Sequence, residues 1–319
     1  MNPHKLTLAP IQGITDFIFR NLFLKHFKGA DEVYTPFVRL QNDGSVKKSQ
    51  LKDILPENNS FGKTIPQILV NSGKDFIYLE NVLNDLGYNE INLNLGCPYP
   101  MVAKRKLGSG LLPFPDLVRQ LFDEVFQQTN MRISVKMRTG YLSETEILDI
   151  LPVLNNYPLG RIIIHPRIGK QLYSGRADYD WFKHCMELSV HSLTYNGDID
   201  SLSTFNLLAE YLNGINNWMI GRAAISNPFL FEEIKSGKSD SAEKKLERFA
   251  EFHNELFDSN AANLNGPGHL LNKMIGYWEY FSFLFPNPKL VYKKIKKSRT
   301  VSNYNAVIYE IFNDSLFVD

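Results

Sequence analysis

Cysteine is nearly missing. Cys97 and Cys185 are the only two in 319 residues, which excludes a disulfide scaffold and leaves too few thiols for a Cys-rich zinc site. An excess of one charge is missing too: 35 Lys and Arg stand against 34 Asp and Glu, a net of +1. No whole-molecule field therefore draws the chain to nucleic acid or acidic lipid, and any polyanion site has to be a local patch. No uncharged apolar run approaches the ~18 residues of a membrane span, and residues 1–10 lack the apolar core of a signal peptide. A soluble cytoplasmic protein without membrane contact is expected. Low-complexity tracts and internal repeats are also lacking. What remains is ordinary globular composition, 44% apolar and 22% charged, in a length that suits two domains or one large barrel with an appendage.

β-rich runs alternate with helical patterns over the first 235 residues. Strands are expected at 5–10, 32–38, 65–70, 90–95, 133–137, 161–165, 192–196 and 218–221. Runs such as Arg161-Ile-Ile-Ile-His165 are apolar enough for a parallel sheet buried on both faces. Helix signals fill the gaps. Asp16 precedes Phe17, Ile18 and Leu22. Asp75 leads Phe76, Leu79, Val82, Leu83 and Leu86, with Gly87 as the stop, and Asp116 leads a second stripe from Leu117 to Phe126. Ser143 with Glu146 forms a capping box, and Asn227-Pro228 opens a helix that Gly237 ends. Eight strand-then-helix units in this length predict an α/β fold, a (β/α)8 TIM barrel. A doubly wound sheet would show a Gly-rich turn after its first strand, and Ala9-Pro-Ile-Gln-Gly13 stands there instead. The Ser-, Lys- and Gly-rich stretch 235–242 reads as a boundary. Only helical patterns follow it, at 243–257, 270–285, 290–297 and 304–317. The expected organisation is a barrel over 1–238 and a small C-terminal helical domain over 239–319.

In such a barrel reactive groups gather at the C-terminal strand ends. Those ends hold Pro10, Arg39, Gln67, Asn94 with Cys97, Lys136 with Arg138, His165 with Arg167, Asn196 with Asp198, and Gly221 with Arg222. Packing does not explain polar groups after so many buried strands. Cys97, in a turn between Gly96 and Pro98, is placed to act as nucleophile or proton donor. Cys185, inside the helical stretch 181–188, is expected to be structural. Lys136 suits a Schiff base, a phosphate or negative charge on a cofactor ring. His165 and Arg167 add cations around Pro166 and point to an anionic or electron-rich ligand. Asn196-Gly-Asp198 and Gly221-Arg222 end the last two strands, where barrels commonly hold phosphate, so a phosphorylated cofactor such as FMN fits. Lys289, Lys293, Lys294, Lys296, Lys297 and Arg299 cluster without an acid between them, interleaved with Tyr292 and preceded by Tyr277, Trp278 and Tyr280. The cluster reads either as a solvated helix face or as an RNA footprint.

Together these segments make the chain resemble the tRNA-dihydrouridine synthases. The resemblance rests on Leu8-Ala-Pro-Ile-Gln-Gly-Ile-Thr-Asp-Phe, Asn92-Leu-Asn-Leu-Gly-Cys-Pro98, Gly108-Ser-Gly-Leu-Leu112 and Val135-Lys-Met-Arg-Thr-Gly140. Ile164-His-Pro-Arg167, Asn196-Gly-Asp-Ile199 and Ile220-Gly-Arg-Ala-Ala-Ile-Ser-Asn-Pro228 complete it, in family order and spacing. It implies an FMN-dependent reductase that saturates the C5–C6 bond of particular uridines in tRNA, with NADPH as reductant. By position, Pro10, Ile11 and Gln12 would touch the flavin through their backbone, Gln67 and Lys136 would bond its ring, and His165 would sit beside it. Asn196, Gly197, Asp198, Gly221 and Arg222 would hold the phosphate end. Asn94 would orient the target uracil and Cys97 would protonate C5. The family carries Met where this chain has Ile11. Thr35-Pro-Phe-Val-Arg-Leu40 is similar to the bacterial C-type synthases, which act at position 16 of the D-loop. That likeness implies tRNA contacts from Arg39, Tyr173, Lys273 and Lys296; Arg167 is a further candidate for binding substrate, and a monomer is expected.

Three other readings compete. An FMN barrel could act on a small pyrimidine such as dihydroorotate or dihydrouracil, although a free base needs no basic helical tail. Lys136 could serve as a Schiff-base lysine of an aldolase, which leaves Cys97 unexplained. An RNA-binding module without chemistry would have little use for Cys97, Lys136 and His165 together.

Overall fold

The computed structural model describes residues 4–314, so the end of the helix expected at 304–317 lies outside the described residues. Nine strand segments form one parallel sheet: β1 Lys5–Leu8, β2 Glu32–Tyr34, β3 Lys63–Ile65, β4 Gln67–Ile68, β5 Glu90–Leu95, β6 Arg132–Gly140, β7 Arg161–Ile168, β8 Leu193–Tyr195 and β9 Asn217–Ile220. Their order is β3-β2-β1-β9-β8-β7-β6-β5-β4. The two outer members are one expected strand, cut by Pro66. Proline has no N–H to give to a ladder. β3 therefore pairs with β2, β4 pairs with β5, and the carbonyl of Pro66 accepts from Asn92 N–H at 2.9 Å. The sheet closes on itself there as an eight-stranded TIM barrel. The 65–70 strand is thus corrected to 63–68 with a break.

Around the sheet run α1 Phe17–His26, α2 Lys48–Lys52, α3 Gly73–Asp85, α4 Pro100–Ala103, α5 Pro115–Phe126, α6 Ile147–Leu154, α7 Tyr179–Leu188, α8 Leu202–Tyr211, α9 Arg222–Ser226 and α10 Leu230–Ser236. Three of the expected helix signals are in place, whereas Asn227-Pro228 falls short of α10, whose N-cap is Phe229, and Asn227 Oδ1 accepts from the Phe229 N–H at 3.2 Å instead. Asp16 Oδ1 accepts from Phe19 N–H, the Ser143/Glu146 box closes both ways, and Gly237 ends α10 with φ +69°. Four helices follow: α11 Ala242–Asn263, α12 Pro267–Phe281, α13 Pro288–Lys296 and α14 Val301–Asp314. α11 packs on α1, and Phe19, Phe23, Phe252, Tyr277 and Phe281 share one apolar core.

At the N-terminal end of the barrel Arg161 is paired to Glu32 and, at 3.2 Å, to Glu90, while Lys5 and Lys63 reach the same carboxylates at 2.8 Å. This buried ionic plug belongs to stability, since chemistry in this fold sits at the opposite face. Toward that face β6 and β7 stay paired as far as Gly140 and Ile168, past an irregularity after Arg138. Lys136 and His165 accordingly lie inside strands rather than at strand ends, which corrects the shorter expected bounds.

Candidate active site

A cavity of about 1240 Å³ opens over the C-terminal strand ends. Pro10 and Ile11 after β1, Lys136 on β6, His165 on β7, Asn196 to Asp198 after β8, and Gly221 with Arg222 after β9 all line it. Sequence alone had named every one of these. The Lys136 ammonium makes no hydrogen bond or ion pair among the described residues. Desolvation, helped by the neighbouring Arg138 charge, lowers its ammonium to about 7. Such a group waits for an anion. His165 is buried, and Arg167 Nη1 lies 3.1 Å from its Nε2. A guanidinium can only donate, so Nε2 accepts and the imidazole proton resides on Nδ1. Desolvation and the Arg138 and Lys136 charges hold that ring well below the ordinary histidine range, hence neutral.

Asp198 organises the phosphate-like corner rather than contacting an anion itself. Its two oxygens take a bidentate pair from Arg167 at 2.9 and 2.6 Å, and one of them lies 3.4 Å from Arg222 Nη2. The second oxygen also accepts from Ala177 N–H at 2.8 Å. Asn196 Nδ2 is spent on the Met219 carbonyl at 2.8 Å. A Cβ on Gly197 would stand 2.6 Å from that of Ala177, so only glycine fits. Of the corner's cations Arg222 keeps the most freedom, lying under the Tyr173 ring at 4.2 Å from its centroid. Tyr173 is half exposed and lines the cavity, whereas Arg167 is locked behind it.

Cys97 sits in the turn after β5, 7% exposed, packed on Leu69 and Leu107. Its own N–H and that of Gly96 donate to Asn94 Oδ1 at 2.8 and 2.9 Å, and Ser109 Oγ–H donates to its carbonyl at 2.9 Å. Burial raises the thiol above its ordinary value, and the Tyr99 N–H with the Arg138, Arg39 and Lys136 charges offsets only part of that. The group is therefore a thiol at neutral pH. Between the two roles open from the sequence, the proton donor suits that state and the nucleophile does not. Cys185 is buried in α7, as expected of a structural residue.

Cys97 is not among the residues lining the cavity, and other named residues also lie apart from it. Gln67 and Asn94 are buried beneath it, each with its amide engaged in protein bonds. Gln12 is exposed, and Arg39 uses its N–H on Gln50 Oε1 at 3.3 Å. Lys273 is paired with Asp16 at 2.6 Å and with the Gly13 carbonyl at 2.7 Å, so its charge holds α12 to the β1–α1 loop. Lys296 is exposed on α13 with its ammonium 5.8 Å from the Tyr292 ring centroid. In the basic cluster, Lys294 is paired with Glu310 and its neighbours stay exposed. Tyr277 and Trp278 turn out to be fully buried, with Trp278 Nε1–H donating to Tyr304 Oη at 2.8 Å, and cannot stack on a ligand. Sequence reasoning named Tyr280 and Lys289 of the outer wall only as part of the basic cluster, and missed Glu279, Phe283, Asn287 and Leu290, which line the cavity with them. Nothing in their spacing announces it, because the wall exists only once α12 and α13 meet the barrel. Among the described residues no cluster of His, Cys, Asp or Glu could hold a metal ion, and no helix is long and apolar enough to cross a membrane.

The dihydrouridine synthase (Dus) family profile matches residues 7–298. The tRNA-dihydrouridine synthase B of Pseudomonas aeruginosa is 30% identical over 238 residues, 73% of this chain and 69% of its own length. That of Pasteurella multocida is 28% identical over 235 residues, again 73% and 69%. A tRNA-dihydrouridine(16) synthase of Neisseria meningitidis serogroup B is 29% identical over 255 residues, 77% of this chain and 75% of its own. Among solved structures, a 2-naphthoyl-CoA reductase with 2-naphthoyl-CoA superposes with a TM-score of 0.55 at 10% identity, over 73% of this chain and 50% of that one. That last likeness concerns the fold alone.

Proposed function

The chain belongs to the dihydrouridine synthase family, and from that premise we propose that it reduces the C5–C6 bond of D-loop uridines in tRNA with FMN as its hydride carrier and NADPH as reductant. The observation that carries the proposal is the convergence of Lys136, His165 and Arg222 on one cavity, with the Cys97 thiol held protonated within electrostatic reach of Lys136. The donor set fits a flavin mononucleotide: an unpaired ammonium for the electron-rich ring, and for the phosphate end two glycines with the Arg222 guanidinium, which only a long 3.4 Å contact ties to Asp198. A cavity of about 1240 Å³ exceeds the ~300–1,000 Å³ of ordinary ligand pockets and leaves room for a base beside the cofactor. Bound there, FMN would deliver hydride to C6 of the uracil. Cys97 gives its proton to C5, and Lys136 balances negative charge at the ring. Neutral His165 packs beside it, and Asp198 keeps Arg167 and Arg222 in register. Extruding the base from its stack requires a grip on flanking phosphates, which the exposed lysines of α13 supply.

Position 16 is the favoured uridine, supported by the Phe37-Val-Arg39 segment and by the printed name of the Neisseria relative. The division into a catalytic barrel over 1–238 and a tRNA-binding helical part over 239–319 belongs to the same proposal. The test is to add FMN, NADPH and an unmodified tRNA transcript to the purified chain, follow flavin absorbance, and map dihydrouridine by mass spectrometry. A protein that stays colourless with added FMN, or turns over dihydroorotate but leaves tRNA untouched, overturns the reading.

A further inference from the structure

Beneath the cavity a file of buried side chains links β6, β5 and β4. Ser134 Oγ–H donates to the Ile91 carbonyl at 3.3 Å, and Asn92 Nδ2–H donates to Ser134 Oγ at 2.9 Å. Gln67 Nε2–H donates to Asn92 Oδ1 at 2.7 Å, and Asn94 Nδ2–H donates to Gln67 Oε1 at 2.7 Å. Asn94 Oδ1 then accepts from Gly96 and Cys97 N–H. Ser134 and Asn92 are fully buried and neither lines the cavity.

Amide orientation is normally ambiguous, but the backbone N–H groups at the Cys97 end of this file remove the ambiguity. A backbone N–H can only donate, so the oxygen of Asn94 must face Gly96 and Cys97. Its nitrogen then faces Gln67, which must offer oxygen, and the nitrogen of Gln67 faces the oxygen of Asn92. The nitrogen of Asn92 reaches Ser134, whose hydroxyl accepts there and sends its own proton to the Ile91 carbonyl, a group that can only accept. Every member thus points the same way. Reversing any one leaves two buried donors or two buried acceptors face to face, which costs more than the bond itself.

We propose that Ser134 and Asn92 are positioning residues for Cys97: by satisfying the far end of the file they brace Gln67 in the orientation Asn94 requires, and through Asn94 hold the turn that presents the thiol. Two further consequences follow. Asn94 Oδ1 is saturated by its two N–H partners, so Asn94 keeps one amide hydrogen and no acceptor for a substrate. On the functional reading above, on which this consequence rests, it donates to a carbonyl oxygen of the target base rather than accepting from its N–H.

The experiment separates the relay from that reading by using a readout that needs no tRNA. Cys97 in the full-length protein is alkylated with iodoacetamide between about pH 7 and 10 and followed by peptide mass spectrometry. In Ser134→Ala the alkylation rate at pH 8 should rise about 10-fold as the turn loosens, and Ser134→Thr, which keeps the hydroxyl, should return the parent profile. Asn92→Leu should match or exceed Ser134→Ala. Should it fail to fold, Ser134→Ala, which deletes one oxygen, decides the matter alone. A folded Ser134→Ala protein with the parent profile overturns the proposal, as does an equal rise in Ser134→Thr. With a tRNA transcript, Ser134→Ala should lower kcat about 10-fold while KM moves less than about 2-fold, again with recovery in Ser134→Thr. A change in KM alone contradicts the positioning role. If the parent chain forms no dihydrouridine, the functional reading falls, and the alkylation series still decides the relay.

Discussion

At the scale of single residues, what a side chain is could be read from the sequence, and what surrounds it could not. Cys97, Lys136 and His165 were named from their place after buried strands, and the strand register brings Lys136 and His165 to one cavity. Their protonation states come first from burial, which only the folded barrel provides, and then from charges both near in sequence and far from it. Cys97 is held as a thiol by burial, and the expected consequence is that Cys97→Ala binds flavin like the parent while dihydrouridine formation falls at least ~100-fold, the scale of losing a general acid. Equal product yields from the variant and the parent would remove the thiol from the mechanism. Lys136 carries a second prediction, for the protein without its cofactor. Its folded value of about 7 lies below the unfolded lysine value, so between those two the unfolded chain binds the extra proton and stability rises with pH. Lys136→Met removes that burden. Its Tm should exceed the parent's by about 3 °C at pH 6 and converge on it toward pH 10. A gap that is constant across that range would mean the ammonium is not penalised by burial.

At the scale of elements, local signals served well where they were local. The Ser143/Glu146 box, the Gly237 stop and the Asp16 cap each needed only a few adjacent residues, and each is in place. The reading failed where a partner strand set the outcome. β6 and β7 run past their expected ends because they pair with each other, and Pro66 splits a strand because its neighbours on the two sides differ. The Gly108-Ser-Gly110 segment shows how an element's shape serves the site. Gly108 has φ +58°, and a Cβ there would stand 2.7 Å from the Cys97 carbonyl oxygen and 2.8 Å from the Cys97 Cβ. Gly108→Ala should therefore cost about 2 kcal/mol or more and disturb the thiol. Gly214→Ala, also at positive φ (+100°) but with nothing within 4 Å, should cost only about 1 kcal/mol. Urea midpoints of the two variants make the comparison, and equal losses would show that the loop does not press on Cys97.

At the scale of the whole molecule the barrel was legible from its eight alternating units, while the contribution of α12 and α13 to the cavity was not. Composition hides it, since a net charge of +1 says nothing of where cations lie. In the folded chain Lys273 is tied to Asp16, Lys294 to Glu310 and Lys245 to Glu233. Lys293, Lys296 and Lys297 stay exposed on or just past one end of α13, and Lys289 lines the cavity at the other. If this rim grips tRNA phosphates, each neutralised phosphate releases counterions, and affinity then falls with salt in proportion to the number of contacts. Changing Lys293, Lys296 and Lys297 together to Ala should weaken tRNA binding and flatten the slope of log K against log salt by about 2 to 3. Cofactor binding should not change, because the charge partners proposed for the cofactor are Lys136 and Arg222 on the barrel side. Lys294→Ala alone should barely alter the slope, since Glu310 already balances that charge. A triple variant that keeps both affinity and slope would return the cluster to a solvated helix face and move the search for the phosphate grip to the barrel side of the cavity.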